Sequence, residues 1–513
     1  MITIMRHIVN SEEMKSLDGR TIRRIGVPSA VLMERAAFAC AEAVLHLSGR
    51  TDEEPDAGGL LRVLCVCGAG NNGGDGMAVA RILFLKGADA AICFVGNPDH
   101  LTEETARQRE ICRRLHIPEI EHPDMAGYDV IVDAIFGIGL RCPVTGRYAD
   151  VIRRINDSGV RVLAVDIPSG ISADRGQVMG CAVKAACTVT MQLLKPGLLL
   201  YPGCEYAGTI ISADIGVVDD TDPWEGDSGI FALDKRDLVR ILPARPADGN
   251  KGTFGKVLVI AGSVNMAGAA FFSASGALHA GCGMVRILTV RENREILQTL
   301  LPEAMLATYD TAEEAAEAMD EYFDWADAIC CGPGMGAGER TRDIVLHLLG
   351  TRGKPIVLDA DALNSLHGDL ESLRSHDGPL ILTPHVGEMT RLAGLSVREI
   401  KEDPVGCAQA FARENGVCLV LKDARTVTAV PEGPVYINLS GNEGMATAGS
   451  GDALTGMTGA LLARGCDPYL AGAAASFLHG LAGDAARREN GAEYMTAGDI
   501  IRGLRAVQTE VRK

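Results

Sequence analysis

Two glycine-rich segments, each carrying one aspartate, are where residue type and spacing in this chain favour chemistry. The first is Gly70-Asn-Asn-Gly-Gly-Asp-Gly76, between the apolar run Arg62–Cys67 and a stretch from Met77 to Lys86 with apolar residues at helical spacing. It reads as a strand-to-helix turn. The second is Ala448-Gly-Ser-Gly-Asp452, which opens a helix near Asp452. Glycine lets a backbone approach a ligand closely, and a helix N-terminus offers unpaired N–H groups to an anion. Amides around Ala448 to Gly451 could therefore form an anion hole. Asp452 in that hole is repulsive to phosphate unless it works, for instance by taking a proton from a hydroxyl during phosphoryl transfer. No GK[ST] follows these glycines, so the loop is not a Walker A element.

Two further strand ends carry suggestive groups. Val132-Asp-Ala-Ile-Phe-Gly-Ile-Gly-Leu140 presents Asp133, and Val165-Asp-Ile-Pro-Ser-Gly170 presents Asp166 and Ser169. With Asn72 these could converge on one crevice. Such oxygen ligands suit a hard cation such as K⁺ or Mg²⁺, and a carboxylate there can also act as a general base. The first loop lacks GxGxxG spacing with an acidic residue about twenty positions on, so a hydride-transferring Rossmann enzyme is not predicted. Lys195, alone after another strand, reads first as a solvated surface group and second as a phosphate or catalytic contact. A lone histidine such as His385 would ordinarily be structural; inside Thr383-Pro-His-Val-Gly-Glu388 a functional role is expected.

Elements must position these groups. The chain has 513 residues, 47% of them hydrophobic and only 4% aromatic, enough for two or more α/β domains with aliphatic cores. Asn10 with Glu13 suggests a capping box for an opening helix, and a second helix is expected over Val31–Leu47. After a polar break at 48–59, apolar runs recur at 91–96, 129–136, 161–167, 187–192 and 209–215. Beyond an acidic, turn-rich linker at 218–228 they restart at 256–261, 284–290, 327–331, 355–359, 380–383 and 417–421. A hairpin-like pair follows at 426–430 and 435–438. Strands alternating with helices predict parallel sheets covered on both faces, hence an α/β fold class of two three-layer domains.

The net charge of −18 argues against non-specific nucleic-acid binding and anionic membrane surfaces. No apolar run is long enough for a membrane span, and no signal peptide is evident. The fifteen cysteines make no CxxC knuckle. Most are expected as small buried hydrophobes in a reducing cytoplasm.

GNNGGDG, VDAIFGIGL, AVDIPSG and LKPGLLLYPG together resemble the NAD(P)H-hydrate epimerase family (YjeF N-terminal type) over residues 1–220. That resemblance implies a Rossmann-like domain that interconverts the R and S hydrates of NAD(P)H at ring carbon C6. It implies hydrate contacts from Asn71, Asn72, Gly73, Gly74 and Asp75, from Gly137, Ile138, Gly139, Leu140, Arg141, Cys142 and Pro143, and from Tyr148. Asn72, Asp133 and Ser169 would hold K⁺, Asp166 would be the acid/base group, and Lys195 a second candidate. The motifs KGTFGKV, CGPGMG, LDADAL, LTPHVGEM and GMATAGSGDALTG resemble the ribokinase-like, ADP-dependent NAD(P)H-hydrate dehydratase family (YjeF C-terminal type) over residues 228–510. This second resemblance implies phosphorylation of the hydrate by ADP with Mg²⁺, then elimination to NAD(P)H with AMP and phosphate. Asp452 would take the hydroxyl proton. Ala269, Gly336 and His385 would face the hydrate, and Lys422, Asp423, Ala424, Arg425, Thr426 and Gly451 the nucleotide. Relatives commonly carry LKGA and GGSGD where this chain has Leu421-Lys-Asp-Ala424 and Ala448-Gly-Ser-Gly-Asp452; Asp423 is expected to point outward. The chain is expected to act on small molecules as a homo-oligomer. The competing readings are a vitamin-alcohol kinase with an accessory domain, and a non-enzymatic Rossmann-like binding or scaffold domain fused to a degenerate kinase.

Overall fold

The structure is a computed structural model that describes residues 5–49, 60–222 and 229–511. The expected break at 48–59 lies outside the described residues from 50 on, and the expected linker at 218–228 from 223 on. Two compact units result: His7–Thr221, and the described residues from Asp222 onward joined by Met5 and Arg6. Met5 is buried in the core of the second unit, beside Phe231, Leu238 and Ile241.

A short strand, β1 (Arg6–Ile8), precedes a helix at Ser11–Arg20 whose Asn10/Glu13 capping box is present as expected. A longer helix follows at Ser29–Ser48. The N-terminal sheet contains β2 (Arg62–Cys67), β3 (Asp89–Phe94), β4 (Val130–Ala134), β5 (Arg161–Val165), β6 (Cys187–Met191) and β7 (Thr209–Ala213), in the order β3-β2-β4-β5-β6-β7. Every pairing in it is parallel. Side chains alternate across a strand, and here both faces are apolar and buried: Val63, Cys65 and Cys67 enter one core, Leu64 and Val66 the other. The strand order reverses between β2 and β4. Such a reversal opens a crevice at the carboxyl ends of the strands.

The second unit follows the same logic. Its strands are β8 (Ile230–Ala232), β9 (Lys256–Ile260), β10 (Met284–Val290), β11 (Met305–Tyr309), β12 (Ala328–Cys331), β13 (Ile356–Leu358), β14 (Leu380–Leu382), β15 (Cys418–Leu421), β16 (Val427–Ala429) and β17 (Val435–Ile437). They run in the order β8-β17-β16-β15-β14-β13-β12-β9-β10-β11, with reversal between β9 and β12. Only β16 is antiparallel to its neighbours. Val257 and Val259 of β9 face one core, Leu258 and Ile260 the other. Strands β8 and β11 escape the sequence reading: β8 is three residues long, and most of β11 is only half-buried at the sheet edge, so neither has a bounded apolar run.

Candidate active sites

In the N-terminal unit the glycine-rich segment is not a turn. Helix Asn71–Leu85 begins directly after Gly70, and no side chain caps its first turn. A Cβ at Gly73 would overlap the Gly68 carbonyl, and one at Gly76 the Ala134 side chain. Glycine here lets the helix press against the strands, and its uncapped N–H groups are left for an anion. Gly73 and Gly74 are accordingly buried, Asn71 is exposed, and Asn72 and Asp75 are half-buried.

Asp133, at the end of β4, is fully buried. Its carboxylate accepts the Ser169 N–H at 2.8 Å and the Ser169 hydroxyl at 2.6 Å, while Ser169 Oγ accepts the Phe136 N–H at 2.9 Å. Burial pushes the Asp133 carboxyl up to about 6, against the bonds from Ser169. Asn72 reaches the same loop, since a Cβ at Gly137 would lie 3.0 Å from Asn72 Oδ1. Its buried Nδ2 has no hydrogen-bond partner. Asn72, Asp133 and Ser169 are thus brought together around residues 135–137. The strip that follows has Gly139, Arg141, Cys142 and Pro143 exposed and Ile138 and Leu140 half-buried. It is pinned where the Val144 N–H meets the Met179 carbonyl at 2.8 Å, and the Tyr148 ring packs on Phe136 at 4.8 Å.

Asp166 follows β5 with φ at +67°, a left-handed conformation that costs a non-glycine residue about 1–3 kcal/mol and is concentrated at functional sites. Lys195 corrects the sequence reading. It is not a solvated surface group; its side chain is 0% exposed. Its Nζ donates to Asp166 Oδ1 at 2.6 Å, Thr190 Oγ1 at 3.0 Å and the Met191 carbonyl at 2.9 Å. Three acceptors, one of them a carboxylate, are what a buried ammonium needs. The Thr190 hydroxyl at 3.2 Å and the Met191 N–H at 3.1 Å also converge on Asp166 Oδ1. Every hydrogen bond to this carboxylate among the described residues falls on that oxygen, so Oδ2 is the reactive candidate. Asp75 is pushed well above the usual carboxylate range by burial and by the Asp166 charge.

In the C-terminal unit, β9, β12, β13, β14 and β15 are parallel neighbours, so the segments after them emerge at one edge. Asp359 follows β13, is 1% exposed, and accepts Lys422 Nζ and the Thr455 hydroxyl, each at 2.7 Å. The glycine-rich loop rests on this pair: a Cβ at Gly451 would sit 3.2 Å from Lys422 Nζ. The helix it opens is Ser450–Ala463, two residues earlier than expected, with Gly449 at φ +88° as N-cap and no side-chain cap. Asp452 is pushed up to about 7, by burial first and then by Asp359, Asp361 and Glu388, with Lys422 opposing. A carboxyl so placed can both accept and return a proton near neutrality.

The remaining predicted residues border this edge. The Gly336 N–H donates to Asp361 Oδ2 at 2.8 Å, and Ala269 is buried where a Cβ at Gly334 would meet its methyl at 2.7 Å. His385 caps helix Val386–Ala393, its Nδ1 accepting the Gly387 N–H at 2.9 Å, and its side chain is 56% exposed. The Lys422 N–H donates to the Pro384 carbonyl at 2.8 Å, which brings the two segments together. Asp423 and Ala424 are exposed, and Arg425 and Thr426 half-buried. Asp423 points outward, as expected, to an ion pair with Lys401 at 3.5 Å. Eleven of the fifteen cysteines are buried, and none is disulfide-bonded.

Sequence reasoning missed Thr190, Asp359, Asp361, Glu388 and Thr455. Four of these lie inside motifs already quoted, so the signal was present without a role; Thr190 had none. A surface cavity of about 530 Å³ lined by Ile155, Asn156, Val162, Lys184 and Glu205 adjoins the opposite, amino end of β5 and contains none of the residues above.

Two family models match the chain: YjeF-related protein N-terminus over residues 29–197, and NAD(P)H-hydrate dehydratase over residues 257–505. The bifunctional NAD(P)H-hydrate repair enzyme of Moorella thermoacetica is 37% identical, with 96% of this chain and 95% of that one covered. Its namesake from Thermofilum pendens is 36% identical over 98% and 97%, and that from Escherichia coli 35% identical over 87% and 85%. A solved ADP/ATP-dependent NAD(P)H-hydrate dehydratase from Bacillus subtilis, co-crystallised with ATP and Mg²⁺, is 33% identical over 54% of this chain and 97% of its own, at a TM-score of 0.49. With both family models in sequence and relatives matching almost end to end, this chain belongs to the bifunctional NAD(P)H-hydrate repair enzyme family.

Proposed function

We propose that the chain repairs hydrated nicotinamide nucleotides in two steps, with the N-terminal unit epimerising R- and S-NAD(P)HX at C6 and the C-terminal unit dehydrating the S epimer with ADP. The observation that carries this reading is the placement of one aspartate in each unit near an uncapped helix N-terminus: Asp166 after β5 with its left-handed backbone, and Asp452 in the first turn of helix Ser450–Ala463. A dehydratase that accepts one epimer strands the other unless a partner activity converts it, so the two sites complement each other.

In the epimerase site, Asp166 Oδ2 moves a proton at the C6 hydroxyl while Lys195, Thr190 and the Met191 N–H keep Oδ1 occupied and the carboxylate aligned. The amides opening helix Asn71–Leu85 and the 137–143 strip bind the nucleotide. The Asn72 Oδ1, Asp133 and Ser169 oxygens have donor chemistry that fits K⁺. That ion would supply a fixed positive charge next to the substrate.

In the dehydratase site, Asp452 takes the C6 hydroxyl proton. The oxygen attacks the β-phosphorus of ADP, the bond to the bridging oxygen breaks, and AMP leaves. The C6–O bond then breaks with loss of a C5 proton, giving NAD(P)H and phosphate. Lys422 and the amides around Gly449–Asp452 hold the phosphates, and Ala269, Gly336 and His385 border the hydrate. Asp359, Asp361 and Glu388 offer the oxygen chemistry Mg²⁺ takes, yet among the described residues no three acidic, His or Cys groups form a metal cage. That fits a cation held largely by substrate phosphates, which it would neutralise.

No described helix is long and apolar enough to cross a membrane, and the free thiols favour a reducing, cytoplasmic setting. Homo-oligomerisation belongs to the same proposal; exposed Val31, Phe38, Phe84 and Leu85 on two neighbouring helices provide apolar surface for it. The test mixes R- and S-NADHX with ADP and Mg²⁺ and follows the restored dihydronicotinamide absorbance. Complete conversion is expected. A stable phosphorylated product without NADH would instead favour the kinase reading.

A further inference from the structure

Helix Pro468–Asn490 takes no part in the steps above, yet it holds the whole approach to the dehydratase loop. Asn438 Nδ2 donates to the Ser476 carbonyl at 3.1 Å, and the Ser440 hydroxyl to the Phe477 carbonyl at 2.9 Å. Asp484 accepts the Gly441 N–H at 3.1 Å and Asn442 Nδ2 at 3.0 Å. The last contact reaches the loop itself: His479 Nε2 lies 3.4 Å from Ser450 Oγ, with both residues under a tenth exposed.

Ser450 is the first residue of the helix that carries Asp452, and its N-cap, Gly449, has no side chain. A serine at a helix start readily turns its hydroxyl onto nearby backbone N–H groups. Here that would occupy amides a phosphate needs. Drawn toward His479, the hydroxyl leaves them open. Burial and the nearby Lys422 charge lower the His479 ring to about 4, against a bond to the Ser450 backbone, so it adds no second cation beside Lys422.

We propose that His479 is a positioning residue for the dehydration step, holding the Ser450 hydroxyl so that the Gly449–Asp452 turn presents its amides to phosphate and its carboxylate to the hydrate. The inference rests on the dehydratase reading above. It differs from an ordinary packing role, because it passes through polar contacts of one ring with the hydroxyl and backbone of Ser450.

The test measures initial dehydration rates of the full-length chain with S-NADHX, ADP and Mg²⁺. His479→Leu should lower kcat about tenfold, the order expected for one lost hydrogen bond in a reacting geometry. His479→Gln, whose amide reaches the Nε2 position, should recover most of the rate. Ser450→Ala should lower the rate by no more than His479→Leu, since it keeps the backbone bond, and combining the two should cost nothing beyond His479→Leu, the mark of a shared interaction. Epimerisation by the same variants should stay unchanged. Full activity in His479→Leu, no rescue by Gln, or losses that multiply in the double variant would each overturn the proposal. Should the leucine variant fold poorly, Ser450→Ala and His479→Gln make the same test with smaller changes in volume. Failure of the unmodified protein to consume the hydrate would remove the functional reading itself, whatever the variants do.

Discussion

Each unit places a lysine near the aspartate proposed to react, and the two lysines are used in opposite ways. In the N-terminal unit Lys195 bonds directly to Asp166 at 2.6 Å. In the C-terminal unit Lys422 bonds to a second aspartate, Asp359, at 2.7 Å, and Asp452 is left among the acidic side chains of Asp359, Asp361 and Glu388. The lysine, Thr190 and Met191 bonds fix the Asp166 carboxylate in orientation, whereas burial beside like charges favours the protonated form of Asp452. The first arrangement suits a group that exchanges a proton while staying aligned. The second suits a base that must take up a hydroxyl proton and hold it while phosphate transfers.

The largest expected effects break each half separately. Asp452→Asn should abolish dehydration, a loss of about 10²–10⁴-fold for one acid/base group, and leave epimerisation intact. Asp166→Asn should do the reverse, so that the S epimer is consumed and the R epimer remains. Chiral separation of the residual hydrate after exhaustive reaction distinguishes the two. Loss of both activities in either variant would contradict separate sites.

Next come the lysines themselves. Lys195→Met leaves Asp166 buried without its partner, a change that typically costs about 3–5 kcal/mol. Thermal melting should show the N-terminal unit destabilised, and adding Asp166→Asn should restore much of the loss. Lys422→Met likewise leaves a buried carboxylate, Asp359, without its partner, and adds an effect on the reaction. The Asp359 carboxylate keeps Thr455, and Asp452 loses the one charge that lowers its pKa. The rising limb of the dehydratase pH profile should therefore move to higher pH.

What could be read without coordinates follows the range of the interactions. The Asn10/Glu13 cap, the apolar runs and the glycine loops are local, and the strands they predict recur within a few residues of their observed bounds. The positions of Asp166 and the 135–137 loop after strands, and of Asp452 at the start of a helix, were also legible, because strand ends in such sheets and glycine-opened helix N-termini are both local signals. The burial of Lys195 was not. It depends on Asp166, 29 positions earlier, and an isolated lysine gives no sign of that. The first loop's glycines were read as ligand clearance, whereas Gly73 and Gly76 serve helix–strand contact, because glycine density alone cannot say which backbone lies opposite.

A smaller effect concerns stability against pH. Asp452 titrates near 7 when folded, against 3.8 for an unperturbed carboxyl. Between those values the folded chain binds more protons than the unfolded one, so stability falls as pH rises through that window and levels off above it. Asp452→Asn should accordingly raise the melting temperature of the C-terminal unit at pH 8, and the gain should vanish toward pH 4. Asp133, at about 6, should contribute the same sign to the N-terminal unit over a narrower range. A stability gain from Asp452→Asn that persists at pH 4 would mean that its cause is not ionisation.

The smallest effect tests whether Asp423 belongs to the nucleotide site at all. A carboxylate facing the phosphates would repel ADP, and replacing it with the glycine common among relatives would then tighten binding markedly. In the structure Asp423 is exposed and its charge is directed to Lys401 at 3.5 Å, while Lys422 beside it turns inward to Asp359. Adjacent residues on an extended segment point to opposite sides, so one can serve the site while its neighbour faces solvent. Exposed ion pairs contribute about 0–1 kcal/mol. Asp423→Gly should therefore change KM for ADP by less than about threefold and leave kcat unaltered. A tenfold fall in KM would place that carboxylate against the nucleotide and redraw this edge of the dehydratase pocket.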